Sequence, residues 1–247
     1  MDKLRQFLRE LTLRRVLVYL RGVVILACGI TMNTKTQLGV APILSVAWNL
    51  SVLLNIPFST MSFIYYCFLI LLQLLLLGRR FEPLQWLQLG ASFLTSAFIG
   101  VFGRILPEAV TLPGRFALLA AAILLTGTGI VLSVGARLVP NPGDGMANAI
   151  SLRSGWSLGL SKNALDIGSF VAAILLGLLF RGRLLGVGIG TVVTMVLTGR
   201  AVALLQKPLL RLFRLPLPPS AAKGRDARDQ TSARSSTGIS SKGAGKR

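Results

Sequence analysis

The chain has 247 residues, 53% of them hydrophobic and only 14% charged, with a formal net charge of +19 and no histidine. Soluble domains carry about 25% charged residues, so this composition excludes an ordinary water-soluble globule and points to a lipid bilayer. The missing histidine excludes His-based zinc sites and triads, and two cysteines leave no disulfide framework.

The charges sit in gaps between apolar blocks. Residues 36–78 run without one charged side chain, as do 83–103 and 116–136, and shorter clean runs follow at 167–180 and 184–199. A membrane helix needs about 20 apolar residues. The pattern predicts six crossings, near 17–36, 58–78, 84–105, 115–135, 161–180 and 184–206. Cys28 ends a stretch with a faint likeness to a lipoprotein cleavage site, but Arg21 interrupts it, and the first helix is expected to be part of the fold.

Pro42 and Pro57 interrupt the longest uncharged run. Between them, 14 residues make about 21 Å of helix at about 1.5 Å per residue, against a hydrocarbon core of about 30 Å. The piece 43–56 is too short to cross and is predicted to be a re-entrant or interfacial helix.

An offset of 100 residues then brings Gly29-Ile30 onto Gly129-Ile130, Leu38 onto Leu138, Pro42 onto Pro142, Ala47 onto Ala147 and Ser51 onto Ser151. An offset of 102 aligns Ser59 with Ser161, Phe68 with Phe170 and Arg79 with Arg181, which makes Ile64 the counterpart of Asp166. Each half reads as span, Pro-led short helix, span, basic turn, span. Three crossings per half is an odd number, so the second half enters from the opposite side. The predicted fold is all-α, a polytopic bundle of six transmembrane helices in two inverted three-helix repeats. Its parts are a basic N-terminal segment (1–16), a first repeat (17–106), a second repeat (107–206) and a basic juxtamembrane segment with a disordered tail (207–247).

Basic residues in the connecting loops divide evenly between the two sides, and the basic ends decide orientation: both termini are expected in the cytoplasm of a bacterial cell, with the chain in its inner membrane. Expected partners are the bilayer itself, anionic lipids at the basic ends, an unknown small solute, and either a second copy or a membrane partner. The +19 is explained by these anchors, so no nucleic-acid partner is expected.

Few residues in the spans can carry chemistry. Asn141-Pro142-Gly143-Asp144-Gly145 places Asp144 near the start of the second short helix, where it is either a structural cap or a group facing a substrate or ion. Asp166 is the one acid expected within a span, an unfavourable position that usually reflects function. Lys162, four residues earlier, offers an interfacial pair on the same helix face as the competing explanation. Asn163, Asn148 and Asn49 complete the candidate solute or ion contacts, and each could equally bond between helices. Gly186-Val187-Gly188-Ile189-Gly190-Thr191 matches a phosphate loop by letters but lacks the strand–turn–helix setting, and reads as close helix packing. No metal or cofactor site is expected, and the shortage of acid–base groups argues against an enzyme.

In combination, Gln37-Leu38-Gly39-Val40-Ala41-Pro42, Leu87-Gln88-Leu89, Pro142-Gly143-Asp144-Gly145, Ser154-Gly155-Trp156-Ser157 and the Gly186–Thr191 run resemble the YczE/YyaS/YitT family of bacterial multi-pass membrane proteins, in its YczE-like branch. The resemblance spans roughly 14–206 and implies a membrane fold with no established substrate or catalytic residues. Many members carry a polar residue soon after the first Pro, where this chain has Ile43-Leu44. The favoured function is a small secondary transporter or permease. A non-transporting accessory or regulatory protein that supports a membrane complex is the alternative.

Overall fold

The computed structural model describes residues 12–213 and Leu215. The segment before Thr12 and the tail from residue 216 lie outside the described residues, so the expected tail disorder is not addressed. Among the described residues there are eight α-helices and no strand: α1 (Leu13–Lys35), α2 (Pro42–Leu54), α3 (Phe58–Leu77), α4 (Leu87–Ile105), α5 (Leu112–Gly135), α6 (Pro142–Ser154), α7 (Leu158–Arg181) and α8 (Ile189–Leu212). Short 3-10 turns, Gly78–Arg80 and Pro83–Trp86, link α3 to α4. Six helices are long and apolar enough to cross a membrane, while α2 and α6, at 13 residues each, are not.

Two boundaries depart from the sequence reading. The sixth long helix begins at Ile189, not 184, because 183–188 folds back over α7. A Cβ at Gly177 would lie 2.7 Å from the Arg183 carbonyl oxygen, and Gly186 adopts φ +62. After Arg183 the turn is apolar and carries no charge to betray it. At its other end α8 runs through Pro208 to Leu212. Proline removes one helical bond, but burial of Leu210 against Val18, Val131 and Leu132 holds the last turn in place.

The centre of the bundle is the α1–α5 pair. A Cβ at Gly29 would fall 2.5 Å from Thr126 N, and one at Gly129 would fall 2.5 Å from Leu26 N. Both backbones therefore touch, which maximises dispersion contact where lipid supplies no hydrophobic force between helices. Gly22 meets Ser133 while Gly29 meets Thr126, so the two helices run antiparallel.

Around this axis α4 packs on α1 and α8 on α5, α2 packs on α7 and α6 on α3. The Arg14 guanidinium donates to the Phe213 carbonyl, which puts both ends of the described chain at the same end of the bundle. Lys35 pairs with Glu108 at the opposite end, at 3.6 Å.

Local geometry repeats at the 100-residue offset. Gln37 and Arg137 both take positive φ, at 57° and 54°. Asn55 and Gly155 both end their short helices in the left-handed region. Ser51 donates to the Ile56 carbonyl and Ser151 to that of Trp156, each at 2.7 Å.

Candidate functional site

The first turns of α2 and α6 meet. Both helices start at a proline, whose fixed φ suits the first helical position. Asn141, not Asp144, caps α6: its side-chain oxygen accepts from Gly143 N at 3.0 Å. Gly143 is small because a Cβ there would lie 2.6 Å from Ile43 Cδ1 of the opposing helix. Gly145 is small because a Cβ would lie 2.6 Å from the Gln73 amide oxygen. Of these three positions only Asp144 carries a side chain.

Beneath Gly145, Gln73 and Gln88 exchange two amide hydrogen bonds at 3.2 Å, and Gln73 also donates to the Pro142 carbonyl. Both glutamines are fully buried, so the start of α6 is held by a satisfied polar network, which rigidifies a core only when complete.

A cavity of about 130 Å³ opens where the two short helices meet. Its lining takes equivalent positions from both halves of the chain. Leu26 and Thr126, Ile30 and Ile130, and Ala41 and Asn141 all contribute, as do Leu44 and Asp144, and Tyr66 and Asp166. The offset stays at 100 through α3 and α7, since the helices start at Phe58 and Leu158. The counterpart of Asp166 is therefore Tyr66, which is buried and lines the cavity. Ile64, expected in that role, is 48% exposed on the outer face of α3.

Charge is confined to one wall. Lys162 Nζ lies 3.2 Å from Asp144 Oδ1, their side chains 37% and 26% exposed. The expected same-helix pair of Lys162 with Asp166 is thus replaced by a pair between helices, because α6 brings Asp144 closer. Asp166, 9% exposed, faces the cavity and has no hydrogen bond or ion pair with any described residue. Asn163 lines the same cavity. Thr194 and Thr198 enter from α8, and Thr194 accepts from the buried Asn33 amide at 2.9 Å.

Both α7 and α8 line the cavity. In the first half α3 packs along α4, whereas the corresponding α7 and α8 make almost no contact, and the cavity lies between them.

Two candidates fall elsewhere. Asn148 is exposed on α6 and does not line the cavity. Asn49 is fully buried but bonds to the Ser45 and Leu185 carbonyls at 3.0 and 2.7 Å, pinning α2 to the turn before α8. Nothing in the pattern of residues marks Tyr66 or Thr198 as lining the cavity. Gln88 was visible only as one letter of a resemblance.

Residues 13–207 match the model of a family described as "Family of unknown function (DUF6198)". The chain belongs to this family. It is also 27% identical, over 196 residues, to the "Uncharacterized membrane protein YczE" of Bacillus subtilis (strain 168), covering 77% of this chain and 84% of that protein. No solved structure matches. It is a multi-pass membrane protein of the YczE-like family, and the DUF6198 match takes in every cavity-lining residue.

Proposed function

We propose that this protein is a small, non-enzymatic secondary transporter or permease of the bacterial inner membrane, with both termini cytoplasmic. The carrying observation is the charged cavity at the meeting point of two Pro-led short helices, with Asp144, Lys162 and Asp166 on one wall. Transporters built from inverted repeats place substrate at the repeat interface, between broken helices.

An inverted repeat is supported by the packing. Exchanging the halves turns the α2–α7 contact into α6–α3 and α1–α4 into α5–α8, and it leaves the antiparallel α1–α5 pair unchanged. A re-entrant reading of α2 and α6 is supported by their course. From their meeting point α2 runs beside α7 from Ser169 toward Leu185, and α6 starts beside Tyr66 and Gln73 of α3. The short helices thus lead from the cavity toward opposite ends of the bundle.

The orientation rests on basic residues. The basic residues of the loops divide evenly, so the ends decide: Arg14 and Lys207 lie toward the end that holds both described termini. Those basic ends would draw anionic lipid at about 1 kcal/mol per residue near the surface.

The test is solute flux into proteoliposomes. Asp166→Asn and Asp144→Asn should each reduce it, and binding with no flux would sink the transport reading. An accessory role is favoured by one feature, the unfilled flank between α7 and α8, which a partner helix could close. A single stoichiometric partner co-purifying without flux of any solute would select that reading.

A further inference from the structure

We propose that the cavity takes a cationic, otherwise apolar solute, an organic ammonium or guanidinium that enters sideways between α7 and α8, with Asp166 as its counter-ion. This rests on the cavity being the solute site, and it names the class of solute.

Charge accounting sets the sign. Lys162 is the one cation lining the cavity, and it is committed to Asp144 at 3.2 Å. That pair is neutral. Asp166 is left over, nine-tenths buried and without a hydrogen bond or ion pair among the described residues; Lys162, one turn away on the same helix, acts on it only at longer range than on Asp144. A carboxylate in such a place is costly unless something pairs with it, and no described side chain makes a hydrogen bond or ion pair with it.

The opposing contribution is smaller. The start of α2 faces the cavity with no acidic residue in its first turn and no side-chain cap, and a helix N-terminus carries roughly half an elementary charge. This offsets Asp166 in part and does not reverse the sign. The matching end of α6 already holds Asp144.

The remaining walls specify the rest of the solute. Leu26, Ile30, Leu44, Ile130 and Met195 form the apolar lining, which suits a hydrocarbon body and gives an inorganic cation nothing to replace its water. Thr194 and Thr198 line the cavity from α8. Thr198 Oγ1 is buried with no hydrogen-bond partner, so its lone pairs are available to face a cation. The sparse packing of α7 on α8 would give such a solute a way in from lipid, where an amphiphilic cation concentrates.

The experiment uses the full chain in lipid nanodiscs and calorimetry with three probes: benzyltrimethylammonium, phenylacetate and phenylalanine. The cation should bind saturably, at least ten times tighter than the anion or the zwitterion, and Asp166→Asn should weaken it at least tenfold. A second readout needs no variant. Dicyclohexylcarbodiimide should label Asp166, detected by mass spectrometry, and saturating benzyltrimethylammonium should protect it. Preference for phenylacetate or phenylalanine overturns the proposal, as does labelling of Asp166 that the cation leaves unchanged. Flux of another solute with no cation binding overturns it while sparing the transport reading. Cation binding without flux upholds it and removes the transport reading instead.

Discussion

The two halves of this protein share a backbone plan and differ in the wall each presents to the cavity. The first half offers Leu26, Ile30 and Leu44, and its α3 and α4 pack together. The second offers Thr126, Asp144, Lys162 and Asp166, and its α7 and α8 stand apart. Two halves with like backbone geometry therefore need not give two equal sites. The first half acts as the apolar wall against which the second half's charges are set, which confines solvation costs to a single place.

Removing the charge that has no counterpart in the first half should have the largest effect. Asp166→Asn is expected to cut solute flux at least tenfold, equivalent to about 1.4 kcal/mol. The melting temperature should stay level or rise, since an unpaired buried charge is removed. A variant that loses flux only by unfolding would show a lowered melting temperature and would remove the contrast between the halves.

Imposing first-half packing on the second half comes next. Leu77 of α3 corresponds to Gly177 of α7, where the Arg183 carbonyl lies too close for a side chain. Gly177→Leu should cost about 1–3 kcal/mol through overpacking, read as a lower melting temperature in detergent. It should also loosen α2, whose Asn49 bonds to the displaced turn. An unchanged melting temperature would mean that the turn does not need its glycine.

Tyr66 and Asp166 test the comparison from the other side. The Tyr66 hydroxyl is buried beside the Asn141 side chain. Its loss in Tyr66→Phe should lower stability by about 1 kcal/mol, with flux retained. Flux abolished by so mild a change would make the first-half wall an active partner in binding.

The smallest effect is expected at Lys162→Met. Its pair with Asp144 is partly exposed, so the stability change should stay below about 1 kcal/mol. A double-mutant cycle with Asp144→Asn reads the coupling directly. A coupling of several kcal/mol would show the pair to be shielded from water and would place the neutral partner deeper than its exposure indicates.

How much of this could be read in advance differs between elements. The six long helices were visible because apolar runs of membrane length report one physical cost, that of charge in hydrocarbon. The short helices were visible because proline marks where a helix begins. Asp144, Asp166 and Asn163 stood out as polar groups in an apolar setting, and the cavity contains all three. Asn49 stood out equally and bonds to backbone, because polarity does not say whether a partner is near. Tyr66 was missed because the alignment slipped by two residues in α3, and two residues turn a helix face away.

Composition and spacing alone determined that the chain is a helical membrane bundle with two Pro-led short helices and very few buried charges. These properties are local, each depending on a residue's own transfer cost and its nearest neighbours. Only the tertiary structure decided that Lys162 pairs with Asp144 and leaves Asp166 alone, and that α7 parts from α8 where α3 holds α4. Both outcomes depend on ångström-scale distances between segments far apart in the chain, set by which glycines let backbones touch, and no local pattern encodes them.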